Sequence, residues 1–437
     1  MKKPATNHLF WATILVLLTG AVSASPADSL KEINLPGADT NRLLAIVGIT
    51  LIDGRGGSPV PDAVVVVRGD RIDAAGSRSS IRIPREAEVF DGKGRTLLPG
   101  FMDSHFHIER DYELPRLVLS HGVTSVRDPG QWIEVYDPIR RSGLAQPRCF
   151  VAGPHLDWPP HAYHKDAFAV TNADETRRAV NRFVDQGASV IKVYYRLPLE
   201  LIGVACEAAH QRGVPVTAHL ELIDADAAIR AGLDGVEHVT SFGTVVAEPA
   251  EAEHFRKIVA ADNEARRKAR YELWSRLDLR ASTRVQPLLD LIVKRKIFLS
   301  PTLAVFERRR GDEGVTEVEA RGFENMIEFV RLCHRAGARI VVGSHSTVPK
   351  AERGWAYQRE MELLAECGLT PMEVVGAATR NNADFFGVSA RLGTIEPGKL
   401  ADLVLIDGDP LKDIQTMRRV EPVMLNGRWI TPPQSDK

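Results

Sequence analysis

From about residue 97 onward, short apolar runs alternate with stretches whose apolar positions recur at helical spacing. The runs fall at 96–101, 123–127, 149–152, 190–194, 214–218, 235–239, 297–300 and 339–342. Eight strands separated by helices predict an α/β chain folded as a (β/α)8 TIM barrel. Helical periodicity is clearest at 174–186 and 200–212, and Gly213 ends the second stretch. On both sides of this region the pattern shortens. Runs at 43–49 and 63–68 flank turns such as Asp53-Gly54-Arg55-Gly56-Gly57, and 392–429 returns to short strands and turns, which reads as sheet. A charge-dense segment, 247–296, separates the sixth run from the seventh and is predicted to be a helical insertion. Its stretch Ala265-Arg266-Arg267-Lys268-Ala269-Arg270 reads as a solvated helix face.

The first 24 residues stand apart. Lys2 and Lys3 precede a nearly unbroken apolar run at 9–18, and Val22-Ser23-Ala24 supplies small residues at a cleavage site. This predicts a secretory signal peptide, 1–24, and an exported protein, periplasmic or secreted. An uncleaved anchor is the other reading, but the run is too short to cross about 30 Å of hydrocarbon, so no membrane attachment is expected after cleavage. Apolar residues are 44% of the 437 and charged residues 26%, enough for a large core and too apolar for wholesale disorder. Lys plus Arg number 56 and Asp plus Glu 57, a balance that leaves no electrostatic footprint for nucleic acid. Cys149, Cys206, Cys333 and Cys367 are widely spaced, which predicts buried thiols rather than a disulfide framework or a CxxC metal site.

The chemistry-bearing residues cluster at the ends of the predicted strands. The segment Pro99-Gly100-Phe101-Met102-Asp103-Ser104-His105-Phe106-His107 closes the first with an HxH pair. Alternation along a strand turns His105 and His107 to one side and Phe106 to the other, so both imidazoles can chelate one divalent ion. His219 follows the fifth strand and His238 the sixth. Four histidines at the C-terminal ends of three strands, the rim where barrel enzymes place their sites, point to metal binding. Strand four carries Lys192 toward an interior that should be apolar. A bare ammonium there is costly. Two remedies are open: pairing with an acid, or reaction with carbon dioxide to give an anionic carbamate that bridges two metals.

These residues resemble those of the amidohydrolase superfamily, in particular its imidazolonepropionase-like and prolidase-like metal-dependent hydrolases. The resemblance runs from about 43 to 429. It rests on the HxH segment, on His121-Gly122-Val123-Thr124-Ser125-Val126-Arg127-Asp128, on Pro301-Thr302-Leu303, and on Pro397-Gly398-Lys399-Leu400-Ala401-Asp402-Leu403-Val404-Leu405. It implies a barrel over 99–391 and a β-sandwich built jointly from 43–98 and 392–432. It also implies a binuclear centre, commonly zinc, with His105 and His107 on one ion, His219 and His238 on the other, and carboxylated Lys192 between them. In prolidase-like relatives a histidine of the loop after strand three contacts substrate, which makes His161 and His164 candidate substrate-binding residues.

The sequence departs from the family at strand eight. The family ends that strand with a metal-binding, proton-shuttling aspartate, and this chain reads Val341-Val342-Gly343-Ser344-His345-Ser346. Three readings follow: His345 replaces the acid as base, it is a further metal ligand while another group moves protons, or hydrolysis has been lost. Tyr194 shares face parity with Lys192 and is a candidate donor to a developing oxyanion, the alternative being an aromatic stacked in the barrel mouth. The expected function is hydrolysis of an amide C–N bond in a small molecule such as a dipeptide or cyclic amide. A lyase, isomerase or decarboxylase on the same metals, or a metal-holding binding protein, are the alternatives. Neither substrate identity nor assembly as a homo-oligomer follows from the sequence. No HExxH, GxSxG or Walker-type loop competes.

Overall fold

The computed structural model describes residues 42–430, so the signal peptide read at 1–24 lies outside the described residues. The strands, in chain order, are β1 (Leu43–Leu51), β2 (Val60–Arg68), β3 (Arg71–Ser77), β4 (Glu88–Asp91), β5 (Arg95–Pro99), β6 (Phe101–Asp103), β7 (Val123–Asp128), β8 (Arg148–Val151) and β9 (His155–Asp157). They continue with β10 (Ala167–Ala169), β11 (Ile191–Val193), β12 (Val216–Ala218), β13 (Gly235–Glu237), β14 (Phe298–Ser300), β15 (Arg339–Ile340), β16 (Leu403–Asp407), β17 (Val420–Leu425) and β18 (Arg428–Ile430).

Both flanks of the chain share one sheet. Its order is β18-β17-β16-β5-β1-β2-β3, with β4 beside β1, and the seam is the antiparallel pair β16 and β5, Leu403 opposite Pro99 and Leu405 opposite Leu97. Alternate residues of β1 enter different clusters: Leu44 and Ile46 pack with Leu97, Leu405 and Met424, whereas Ala45 and Val47 pack with Val64 and Val66. The strand is therefore buried on both faces, which explains why its sequence is almost continuously apolar.

The remaining strands are parallel and make a TIM-barrel-like α/β fold. One set pairs β6-β7-β8 and the other β10-β9-β11-β12-β13-β14-β15. β8 and β9 lie on one stretch of chain interrupted at Gly153-Pro154: the first half pairs with β7, and the second meets β11 at Leu156 opposite Val193. Ser104 N donates to Val342 O at 3.0 Å and so joins the end of β6 to the end of the β15 segment. The expected first strand, 96–101, divides between the two sheets. Residues up to Pro99 pair with β16, and the barrel-side strand begins at Phe101. Gly100 is the switch point because a Cβ there would lie 2.2 Å from Thr124 Oγ1, so only glycine lets the chain cross at this distance.

The helices that pack around these strands carry recognisable end signals. Ala173–Asp185 is capped by the Asn172 side chain, which accepts from Glu175 N, and Leu199–Gln211 ends just before Gly213 at φ 68°. Glu317–Ala336 begins with a capping box between Thr316 and Glu319 and ends at left-handed Gly337. The insertion is helical, Pro249–Ala261, Ala265–Arg276 and Val285–Lys294. Its middle helix comes close to Glu317–Ala336 at Gly322, where a Cβ would sit 2.9 Å from Tyr271 O. All four cysteines are free thiols, three of them buried. No described helix is long and apolar enough to cross a membrane.

One buried ion pair ties the two sheets together. Arg148 of β8 donates Nε to Asp402 Oδ2 at 2.7 Å, and both side chains are buried. Asp402 also accepts Asn426 N. Removing one partner of a buried pair leaves the other charge desolvated without compensation. Arg148→Ala is therefore expected to lower unfolding free energy by about 3–5 kcal/mol in denaturant titration. A loss below about 1 kcal/mol would show that water or another cation replaces the guanidinium.

Candidate metal centre

Five histidines and one lysine meet at the C-terminal ends of the parallel strands. The rings of His105 and His107 lie 4.9 Å apart, His105 and His238 4.6 Å, His219 and His238 4.4 Å, and His105 and His345 5.3 Å, centroid to centroid. Among the described residues, His105, His107 and His345 offer ligand nitrogens that all lie within 4.8 Å of one another. Lys192 lines the same cavity, whose volume is about 680 Å³.

Three of the five rings are oriented by a second group. His105 Nδ1 faces Glu237 Oε2 at 2.7 Å, and the other Glu237 oxygen accepts Arg127 Nη2 at 3.0 Å and Thr217 Oγ1 at 2.8 Å. With its Nδ1–H given to that carboxylate, His105 presents Nε2 as a lone pair. That atom stands 3.0 Å from His107 Nε2, while His107 Nδ1 lies 3.7 Å from Asp128. At that Nε2–Nε2 distance one of the two nitrogens donates to the other when no cation lies between them. His238 Nδ1 faces Thr302 Oγ1 at 2.7 Å, leaving Nε2 for the cavity. His219 Nδ1 is buried and has no hydrogen-bond partner. Asp103 joins the ends of strands one and eight by accepting His105 N and Ser344 N on one oxygen. Gly343 keeps them close, since a Cβ there would lie 2.8 Å from His105 Cβ.

Burial keeps most of this cluster neutral. It pushes the imidazolium pKa of His105 down to about 3 and that of His219 to about 4, despite the opposing pull of Glu237 and Glu221, respectively. His238 and His345 are pushed well below the ordinary range by burial and by neighbouring rings. For His107, burial is outweighed by Asp128, which raises its pKa. Burial also lowers Lys192 to about 8. Its Nζ is buried without any hydrogen-bond partner; Glu237, whose charge acts on it, makes its hydrogen bonds to His105, Arg127 and Thr217 instead. The acid-pairing remedy for this lysine is thus not realised by a hydrogen bond.

Of the residues singled out in the sequence, His105, His107, Lys192, Tyr194, His219, His238 and His345 all line the cavity. Tyr194 packs between neighbours, its ring tilted 4.3 Å from that of His155 and edge-on 4.9 Å from that of His219. His161 and His164 do not line it. They sit farther along the loop, half-buried and exposed, and His155 of the same loop lines the cavity instead with its Nε2 unpartnered. The loop places His155 there because Ala167 of β10 pairs with it in register, which fixes it at the inner edge.

Several residues at the site escape a reading of the sequence. Glu237 had a usable signal, since it shares parity with Gly235, the partner of Thr217, and Thr217 is in register with Lys192. Glu221 had none. It is buried two residues beyond His219 and is paired with Arg266 at 3.0 Å and Arg270 at 3.2 Å, both from the insertion. The expected solvated face is corrected accordingly: Arg267 and Lys268 are exposed, but Arg266 and Arg270 are buried over the site, drawn in by the Glu221 carboxylate.

Residues 96–430 match the family described as the amidohydrolase family. The chain is 24% identical over 390 residues to the adenine deaminase of Moorella thermoacetica, covering 84% of this chain and 54% of that protein. It therefore spans about half the length of that relative. Its fold is similar to a Xaa-Pro dipeptidase solved with methionine in the active site, with a TM-score of 0.68, 22% identity, and coverage of 89% of this chain and 99% of that one. It is likewise similar to A. niger ochratoxinase, with a TM-score of 0.69, 22% identity, and coverage of 91% and 97%. At these identities the two structures speak to fold alone.

Proposed function

This chain belongs to the amidohydrolase family, and from that premise and the geometry of its site we propose that it is an exported hydrolase that cleaves a C–N bond of a small molecule with two divalent ions. The architecture that goes with this reading is a closed (β/α)8 cylinder over 99–391, a β-sandwich from 43–98 and 392–432, and a cleaved leader at 1–24. The observation that carries it is the Lys192 amine, buried and partnerless among four neutral imidazoles. A bare amine in that position is a desolvated donor with nothing to donate to.

The residues fit a binuclear zinc site. His105 and His107 would hold one ion and His219 and His238 the other, with Lys192 between them as a carbamate. In forming it, the neutral amine bonds to the carbon of carbon dioxide, one C–O π pair moves onto oxygen, and a proton leaves to solvent. The resulting anion removes the orphaned amine and offsets the charge of two dications. When bound, the ions supply Lewis acidity, which polarises a carbonyl and acidifies water. Tyr194 donates its O–H to the carbonyl oxygen as charge develops there. His155 holds the substrate from the opposite side of that ring. His345 takes the proton from water and returns it to the departing nitrogen.

A second reading has one observation in its favour: a neutral imidazole at 345 adds no negative charge where the family places an acid. It makes the protein a lyase, isomerase or decarboxylase on the same metals, or a metal-holding binding protein. Zinc-loaded protein presented with dipeptides, N-acyl amino acids and lactams in oxygen-18 water separates the two. Hydrolysis places one heavy oxygen in the product carboxylate. Turnover without heavy-oxygen incorporation, or ligand binding with no turnover, would replace the first reading with the second.

A further inference from the structure

The charges around the cavity are segregated. Arg266, Arg267, Arg270 and Arg308 line one wall, whereas the lining acids Glu109 and Asp166 stand on the other side beside His107. Two of these arginines, Arg266 and Arg270, pair with the buried carboxylate Glu221. The hydrogen bond of Arg308 is to backbone, Nη1 donating to Glu307 O at 2.8 Å, with Glu319 acting on it through charge alone, and Arg267 reaches exposed Glu264 at 3.5 Å. The Nε atoms of Arg266 and Arg270 are buried and unpartnered. The cationic wall is thus short of anion, and it is stiffened by aromatic rings: Arg270 lies 5.2 Å over Phe306 and Arg308 5.6 Å over Tyr271. Guanidinium groups hold carboxylates through paired, charge-assisted hydrogen bonds that a neutral amide cannot replace.

We propose that the helical insertion and the segment after β14 together form a carboxylate-binding subsite, so that the substrate is an amide bearing a carboxylate held by Arg270 and Arg308, with an apolar side group against Phe306. The inference rests on the hydrolase reading for what happens at the metals, but the subsite makes its own prediction about binding. The scissile bond lies over the histidines, and the anion points toward residues 266–308. An amine on the far side of the substrate meets Glu109 and Asp166. Neutral ureas, thiocarbamates and purines have nothing to place on this wall.

Binding is measured by calorimetry on the metal-loaded full chain with 3-phenylpropanoate and with 3-phenylpropanamide, which differ only at the anion. The wild type is expected to prefer the acid by at least about tenfold, the equivalent of ~1.4 kcal/mol. Arg308→Gln should reduce that preference severalfold, Arg270→Gln/Arg308→Gln should nearly abolish it, and Arg308→Lys should retain part of it. Circular dichroism checks that each variant is folded. Equal affinity for the two probes in the wild type would overturn the subsite. So would a preference that survives both substitutions, because the carboxylate would then be sitting on the metals. Failure of hydrolysis alone leaves this binding result standing and bears only on the reaction.

Discussion

Lys192→Ala should lower kcat/KM by at least about three orders of magnitude and reduce bound metal from two ions per chain to one or none. The size of the effect follows from what is removed. A carbamate bridge would hold both ions, metal assistance is worth several kcal/mol in the transition state, and each ~1.4 kcal/mol is a factor of ten. The substitution also leaves a cavity the size of the missing side chain. Acetate or propionate can enter it and supply the lost carboxylate, so millimolar short acids should restore part of the activity and the second ion. Methylamine, which would mimic a bare amine, should not. The metal-free protein should respond in the opposite way: Lys192→Met removes a buried, partnerless amine and is expected to raise its stability in denaturant. Rescue by methylamine, or full activity without the side chain, would mean that the lysine is structural.

The second large effect is expected at His345. If this imidazole moves the proton, His345→Ala should lower kcat by roughly 10²–10⁴, the usual contribution of a positioned acid–base group. KM should change little, since the ring is asked to act on the transition state rather than to bind substrate. His345→Asp restores the acid the family uses and should keep most of the activity. The backbone is an added constraint, because His345 and Ser346 both have φ of 60°, an uncommon conformation that aspartate and asparagine tolerate comparatively well. An inert wild type that gains hydrolysis as His345→Asp would show that the natural residue has abolished the reaction.

What the sequence revealed and what it concealed divide along physical lines. Periodicities of two and of 3.6 residues exposed the parallel strands and the helices between them, because those patterns are local. The cavity histidines His105, His107, His219 and His238 were legible for the same reason: each closes a short apolar run, and a strand end has only one rim. Lys192 was conspicuous because a cation within an apolar run violates the local pattern. The boundary at Gly100 was not legible. Whether Arg95–Pro99 pairs with Leu403–Asp407 or continues into Phe101–Asp103 is decided by a partner some three hundred residues away. Arg266 and Arg270 were misread for a related reason. A helix with arginines on most faces carries no internal sign of which face is buried, and the deciding charge, Glu221, belongs to a different element. The loop at 155–164 offered three histidines, His155, His161 and His164, and only the pairing of β9 with β10 selects His155.

The claim on which the rest depends is that Lys192 is carboxylated and held between two ions. Protein refolded or exchanged in carbon-13 bicarbonate with saturating zinc is examined by carbon-13 NMR and by metal analysis, alongside Lys192→Ala. The account predicts about one labelled carbamate carbon and two zinc ions per chain in the wild type, and neither the label nor the second ion in the variant. Two fully bound ions with no label on Lys192 would contradict it.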